Sequence, residues 1–261
     1  MAKQSMDAGR GRGANVVKKH AKGRQRNFYA ILGLVAALLG VFIVYQVGKP
    51  KASPEAIAVD PSVPLPKAEG YLLGNPNAPV QVLEFADFEC PACGQFYVLT
   101  EPDVRKRLVE TGEISYRFLD LPLPGHRNTW PASHAAACAN EQGKFWEMHD
   151  AIFQGQDQWN GQATSRPKGV FEGYAKAIGL DVEKWEQCYD EQRYLRNIQA
   201  NRAEGERRLV SSTPTFIIGS RMIPGSISFD KFKAYVDSAK ADAAAAGAMG
   251  AASPSDTAAA K

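Results

Sequence analysis

The feature that most constrains this 261-residue chain is Cys90-Pro91-Ala92-Cys93, which sits between a strand signal and a helix signal. Val80–Ala86 reads VQVLEFA, apolar and β-favouring, after the turn segment Asn75-Pro76-Asn77-Ala78-Pro79. From Cys93 to Leu108 the pattern is helical, and Pro102 should kink or break it. Two cysteines at such a junction can close a tight disulfide. The helix N-terminus adds unpaired N–H groups and partial positive charge, which favour a thiolate over a thiol at Cys90. Pro91 suits the first helical turn, because its missing N–H would have no helical partner. Cys90 is then the exposed attacking sulfur, and Cys93, one turn further in, is the sulfur that closes the pair. Other uses of the motif fit less well. A zinc site needs a second set of ligands. There is no second Cys-x-x-Cys, and His20, His126, His134 and His149 show no ligand spacing, so no metal is expected. An inert structural disulfide rarely sits across a strand–helix junction.

Redox chemistry depends on compartment, and the N-terminal third addresses that. Residues 28–47 read FYAILGLVAALLGVFIVYQV, without a charge. As a helix this run spans roughly 30 Å, the thickness of a bilayer core. Tyr29 and Tyr45 lie near its ends, where aromatic rings favour the membrane interface. Residues 1–27 hold eight Lys/Arg against one acid, Asp7, a charge of +7 that leaves −4 for the rest of a chain whose net charge is +3. Cationic flanks stay cytoplasmic. The expectation is a cytoplasmic tail at 1–27, a single membrane-spanning helix at 28–47 and an extracytoplasmic remainder, in a periplasm or at the cell exterior. A cleaved signal peptide would have a shorter apolar run, and Ala56-Ile57-Ala58 lies far beyond this one. Beside such a run, the basic tail reads as a topology signal and not as a nucleic-acid-binding arm.

Residues 48–68 carry Pro50, Pro54, Pro61, Pro64 and Pro66, a composition suited to an extended tether. Residues 239–261 are Ala/Gly/Ser-rich with almost no large apolar side chain and read as a mobile tail. One folded domain, 69–238, remains. Its further signals are strand Ile114–Leu119, a long helical stretch to residue 208 interrupted near 155–167 and at Gly179, strand Thr215–Ile218, a short partner at Met222-Ile223, and an amphipathic helix at 228–239 that Ser228 can cap. Cys138 and Cys188 fall in the helical stretch. An oxidising compartment permits a structural disulfide between them, worth roughly 4 kcal/mol in the chain-entropy model. Two buried free thiols are the alternative. Phe85, Phe88, Phe96, Tyr97, Phe145 and Trp146 read mainly as core, although Phe88 and Phe96 flank the motif and could line an apolar surface for unfolded chains. Nothing in the pattern gives His126 or His134 a catalytic part.

Three separated segments, QVLEFADFECPAC at 81–93, AAACANEQGKFWEMHDAIF at 135–153 and Ser212-Thr213-Pro214-Thr215-Phe216, resemble the DsbA-like thiol–disulfide oxidoreductases. The resemblance implies an α/β thioredoxin fold with an inserted α-helical domain at about 130–208 and a sheet of four or five strands. It also gives three positions a meaning. Glu84 shares the facing of Val82 and Ala86 among apolar neighbours. The matching acid in the family lies buried and helps move a proton to and from the sulfur that Cys93 matches; an exposed edge-strand glutamate is the alternative. Thr213-Pro214 implies a cis peptide that leaves backbone groups free for an extended substrate, so Thr213, Pro214, Pro91 and Ala92 are the implied substrate contacts. Ala92 departs from the strongest oxidants of the family, which carry His there, and this implies a less oxidising pair. The implied reaction is disulfide formation in unfolded or partly folded secreted proteins, with no cofactor beyond the Cys90–Cys93 pair and a quinone-linked membrane partner for reoxidation. A reductase or isomerase on the same fold and a non-catalytic chaperone-like module are the alternatives.

Overall fold

The computed structural model describes residues 28–43 and 64–251, with side chains to residue 246. The chain divides into two units, 1–57 and 58–261. In the first, residues 28–43 form one exposed helix, α1. Among the described residues no helix is long and apolar enough to cross a membrane. The end of the expected span (residues 44–47), the basic tail at 1–27 and most of the proline-rich stretch lie outside the described residues.

The second unit is built on five strands: β1 (Tyr71–Leu73), β2 (Val80–Ala86), β3 (Ile114–Asp120), β4 (Thr215–Ile218) and β5 (Arg221–Pro224). Their order is β1-β3-β2-β4-β5. Strands β2 and β3 run parallel, from Val80 beside Ile114 to Ala86 beside Asp120, and every other pairing is antiparallel. A parallel pair needs a crossover. Here it is α2 (Pro91–Leu99), α3 (Glu101–Val104) and a π-helical turn, Arg105–Val109. The expected helix to Leu108 therefore breaks, and Pro102 is the cause. Without an N–H it cannot bond the Val98 carbonyl, so α2 ends at Leu99 and Pro102 falls in the first turn of α3. Strand β1 gave no usable signal, being three residues long.

Between β3 and β4 lies the helical insertion: α4 (Thr129–Asn140), α5 (Phe145–Gln154), α6 (Gln156–Trp159), α7 (Lys168–Ala177), α8 (Val182–Asp190) and α9 (Leu195–Arg207). The breaks fall where glycine and proline stand, after Gln154 and around Gly179, whose φ is +75°. Trp159, Phe171 and Trp185 are fully buried in it, each contributing roughly 2–3 kcal/mol by area. The indole N–H groups are satisfied by the carbonyls of Ile152 (2.8 Å, from Trp159) and Ala135 (3.0 Å, from Trp185). Cys138 on α4 and Cys188 on α8 are joined by a disulfide, with Cα atoms 5.8 Å apart.

One face of the sheet packs Val82, Phe216 and Ile218 against Phe96 of α2 and Phe232 and Val236 of the closing helix α10 (Phe229–Ala251). On the other face Phe85, Leu119 and Leu121 form a smaller cluster with Val210. There α9 approaches so closely that a Cβ on Gly205 would lie 2.8 Å from Leu121 Cδ1 and 3.1 Å from Phe85 Cδ1, so only glycine fits. Helix α10 runs on through Ala251, which corrects the reading of a mobile tail from residue 239. Alanine has the highest helix propensity of any residue, and the run at 243–246 extends the helix without any core to pack on.

Candidate active site

Cys90 is the N-cap of α2, with an extended backbone (φ −73°, ψ 122°) and Pro91 in the first turn. The segment leading to it is pinned on both sides. The Cys90 N–H donates to the Asp87 carbonyl at 3.0 Å. Gln156 Nε2 of α6 donates to the carbonyls of Phe88 (2.8 Å) and Cys90 (3.1 Å). Glu89 accepts the backbone N–H groups of Asn128 and Gly161, each at 2.6 Å, which fastens two insertion loops beside the motif.

Both motif thiols are free. Cys90 is 8% exposed and Cys93 1%. The Cys90 pKa is drawn down to about 5, first by the hydrogen bond from Cys93, then by Thr213 and the backbone N–H groups of Cys93 and Ala92, against the opposing effect of burial. Cys93 moves the other way. Burial raises its pKa well above the ordinary thiol range, and the neighbouring charges of Cys90 and Glu84 add to this. One sulfur is thus built to be a thiolate and its neighbour to hold a proton.

Thr213-Pro214 is a cis peptide. It lies against the motif: the Cys90 thiol donates to the Thr213 carbonyl at 3.4 Å, and the buried Thr213 hydroxyl has no other partner. Pro91 is exposed and Ala92 half-buried. Phe88 and Phe96 are fully buried, which corrects the reading of them as an apolar surface. Each points into a core cluster, Phe88 among the insertion helices and Phe96 under α10. The large exposed apolar side chains of this unit are others, among them Val98, Leu99 and Leu209.

Glu84 is 2% exposed, so the alternative of a solvated edge glutamate does not apply. Tyr116 Oη donates to its Oε2 at 2.6 Å. Burial and, after it, the charge of Glu101 push its pKa up to about 8, although the Tyr116 bond and Arg105 pull down. Glu101 belongs to a group that the sequence did not reveal. Arg105 Nε donates to Glu101 Oε1 at 2.7 Å, and the same guanidinium grips Asp150 at 2.8 and 3.0 Å. His149 Nδ1 lies 2.9 Å from Asp150 Oδ1, and the ring is fully buried among Phe88, Phe118, Trp146 and Phe153. Glu101, His149 and Asp150 bring potential ligand atoms within 4.8 Å of one another, but Arg105 already bridges the two carboxylates. The one local signal was the i, i+4 spacing of Glu101 and Arg105. The partners on α5 are 44 and 45 residues further along.

Residues 67–238 match the thioredoxin family model. This chain belongs to the thioredoxin family. Among solved structures, the chain is similar to α-DsbA1 of Wolbachia pipientis, with a TM-score of 0.61 at 22% identity, over 70% of this chain and 96% of that one. It is also similar to oxidised BdbD of Bacillus subtilis (TM-score 0.59, 21% identity, 65% and 92% covered). Both likenesses concern the fold. Among curated relatives, disulfide bond formation protein D of Bacillus subtilis is 24% identical, over 64% of this chain and 75% of that protein. The Na(+)/H(+) antiporter NhaA 3 of Salinispora tropica is 36% identical over 71% of this chain but only 27% of its own length. The chain thus spans about a quarter of the antiporter relatives that it matches.

Proposed function

We propose that this chain is a thiol–disulfide oxidoreductase that forms disulfides in unfolded or partly folded extracytoplasmic proteins. The observation that carries the reading is the opposed pair at the start of α2, with the Cys90 pKa at about 5 and that of buried Cys93 held high beside a cis Pro214. In the oxidised enzyme a substrate thiolate attacks Cys90 Sγ. The Cys90–Cys93 bond breaks, a mixed disulfide forms, and Cys93 leaves with the electron pair and takes up a proton. Glu84, protonated below about pH 8, is the nearby donor. A second substrate thiolate attacks the substrate sulfur of the mixed disulfide. Cys90 departs as a stable thiolate, and the product carries its new disulfide. Two electrons have then passed to the enzyme pair without a bound cofactor, and a membrane partner linked to quinone withdraws them.

The backbone near Thr213 and Pro214 and the exposed face of Pro91 and Ala92 are where an extended substrate lies. Anchoring through residues 28–47, with the N-terminus cytoplasmic, keeps this chemistry in an oxidising compartment. With no histidine between the cysteines, the pair is less oxidising than one that has it. The test is catalysed oxidation of a reduced, unfolded protein by the pre-oxidised enzyme, together with the redox state of Cys90 and Cys93 trapped in cells. Stoichiometric disulfide transfer and a mostly oxidised pair support the reading. A pair held reduced in cells overturns it in favour of a reductase or isomerase.

A further inference from the structure

Asp87 and His126 form an acid–imidazole pair beside the motif that the exchange steps do not use. The loop after β3 folds back along the end of β2. The Leu121 N–H donates to the Ala86 carbonyl at 2.7 Å, and the Leu123 N–H to Asp87 Oδ2 at 2.8 Å. Gly125, at φ +93°, turns the chain so that His126 Nδ1 comes 2.8 Å from the same oxygen. The Asp87 side chain is fully buried and that of His126 is 26% exposed. Asp87 also accepts the Glu89 N–H at 2.7 Å. Its main chain touches both cysteines, the carbonyl through the Cys90 N–H and the backbone bonding to the Cys93 sulfur. One residue therefore ties His126 to the reacting pair.

The charged groups that act on His126 are Asp87, Cys90 and Glu89. All three are anionic in the reduced enzyme. Burial lowers the His126 pKa, but the Asp87 hydrogen bond and then these charges outweigh it and raise it above the ordinary imidazole range. Neither residue between the cysteines carries a charge.

We propose that His126, oriented by Asp87, is a positioning residue whose imidazolium stabilises the Cys90 thiolate and so makes the Cys90–Cys93 disulfide a stronger oxidant. The inference rests on the oxidoreductase reading. Against glutathione the balance is one enzyme disulfide and two glutathione thiols giving one Cys90 thiolate, one Cys93 thiol, one glutathione disulfide and one proton. A cation beside Cys90 favours the right-hand side.

The test compares the full-length protein with H126Q and H126A. H126Q keeps a side chain able to bond Asp87 and removes the charge. The expected result is an upward shift of the Cys90 thiolate midpoint, read by ultraviolet thiolate absorbance, and a glutathione equilibrium constant moved about three- to five-fold toward the enzyme disulfide in both variants. In the unmutated protein the His126 ring should titrate at lower pH after oxidation, because the Cys90 charge is gone, an effect that a purely structural histidine would not show. That NMR titration decides the matter even if a variant fails to fold. An unchanged midpoint and equilibrium constant in H126Q, or the same His126 titration in both redox states, overturns the inference alone. A wild-type protein that exchanges no disulfide with glutathione overturns the oxidoreductase reading with it.

Discussion

Cys138 and Cys188 meet from two different helices, α4 and α8, whereas Cys90 and Cys93 share the first turn of one helix. Both pairs lie in the same apolar cluster. What separates them is the fate of the sulfur once a bond is open. At Cys90 a thiolate would meet the Cys93 thiol, the Thr213 side chain and two backbone N–H groups. Cys138 and Cys188 are fully buried, and neither stands at the start of its helix. A thiolate there would be left in an apolar interior without comparable support. A reactive disulfide is made by stabilising its reduced form, and a structural one by denying its reduced form any stabilisation.

The largest expected effect tests that contrast directly. Cys90→Ser should reduce disulfide transfer to the uncatalysed rate in a refolding assay, while mapping of an unreduced digest still finds Cys138 joined to Cys188. Transfer that survives would point to a chaperone-like activity. Next, Cys138→Ala with Cys188→Ala should lower the unfolding free energy by about 4 kcal/mol, the value of closing a loop across a separation of 50 residues. The Cys90 midpoint should remain at about 5. A double variant that shifts this midpoint would show the two pairs to be coupled.

Glu84→Gln should act on rate and stability in opposite directions. As a proton donor to departing Cys93, Glu84 works while protonated, so the wild-type rate should fall as pH rises through about 8. The glutamine variant should be slower below that pH by about a hundred-fold and lack the inflection. Because burial raises the carboxyl above its ordinary 4.5, ionising it costs the folded state increasingly as pH climbs from 4.5 to 8. Glu84→Gln should therefore gain stability over wild type across that window in chemical denaturation. The smallest effect is expected from Thr213→Val, which removes one of several donors. The Cys90 midpoint should rise from about 5 without loss of exchange, and an unchanged midpoint would leave the Cys93 bond and the backbone N–H groups as its whole support.

Much of this was legible in short stretches of sequence. VQVLEFA marks β2 residue for residue, Pro102 marks the break after α2, and Gly179 marks the end of α7. The motif could be placed on a strand–helix junction because both flanks carry local periodicity. What could not be read depends on partners distant in the chain. Asp87 and His126 are 39 residues apart, and Arg105 and Asp150 are 45 apart. Neither pairing leaves a periodic trace, since burial of polar groups is decided by which loops and helices the fold brings together. Phe88 and Phe96 were ambiguous for a related reason. Flanking an active motif says nothing about which face of the backbone a ring will take.

The π turn at Arg105–Val109 has a consequence of another kind. Such a turn holds one residue more than α-helical winding requires. Deleting any residue within it would restore α geometry and rotate the turn before it by about 100° relative to the turn after it. Glu101 and Arg105 would then swing away from Asp150 together. A substitution here removes one partner and leaves the others in place, whereas a change of length dismantles the cluster at a stroke. Along these five residues the reading frame of the helix, more than its composition, is what descent must preserve.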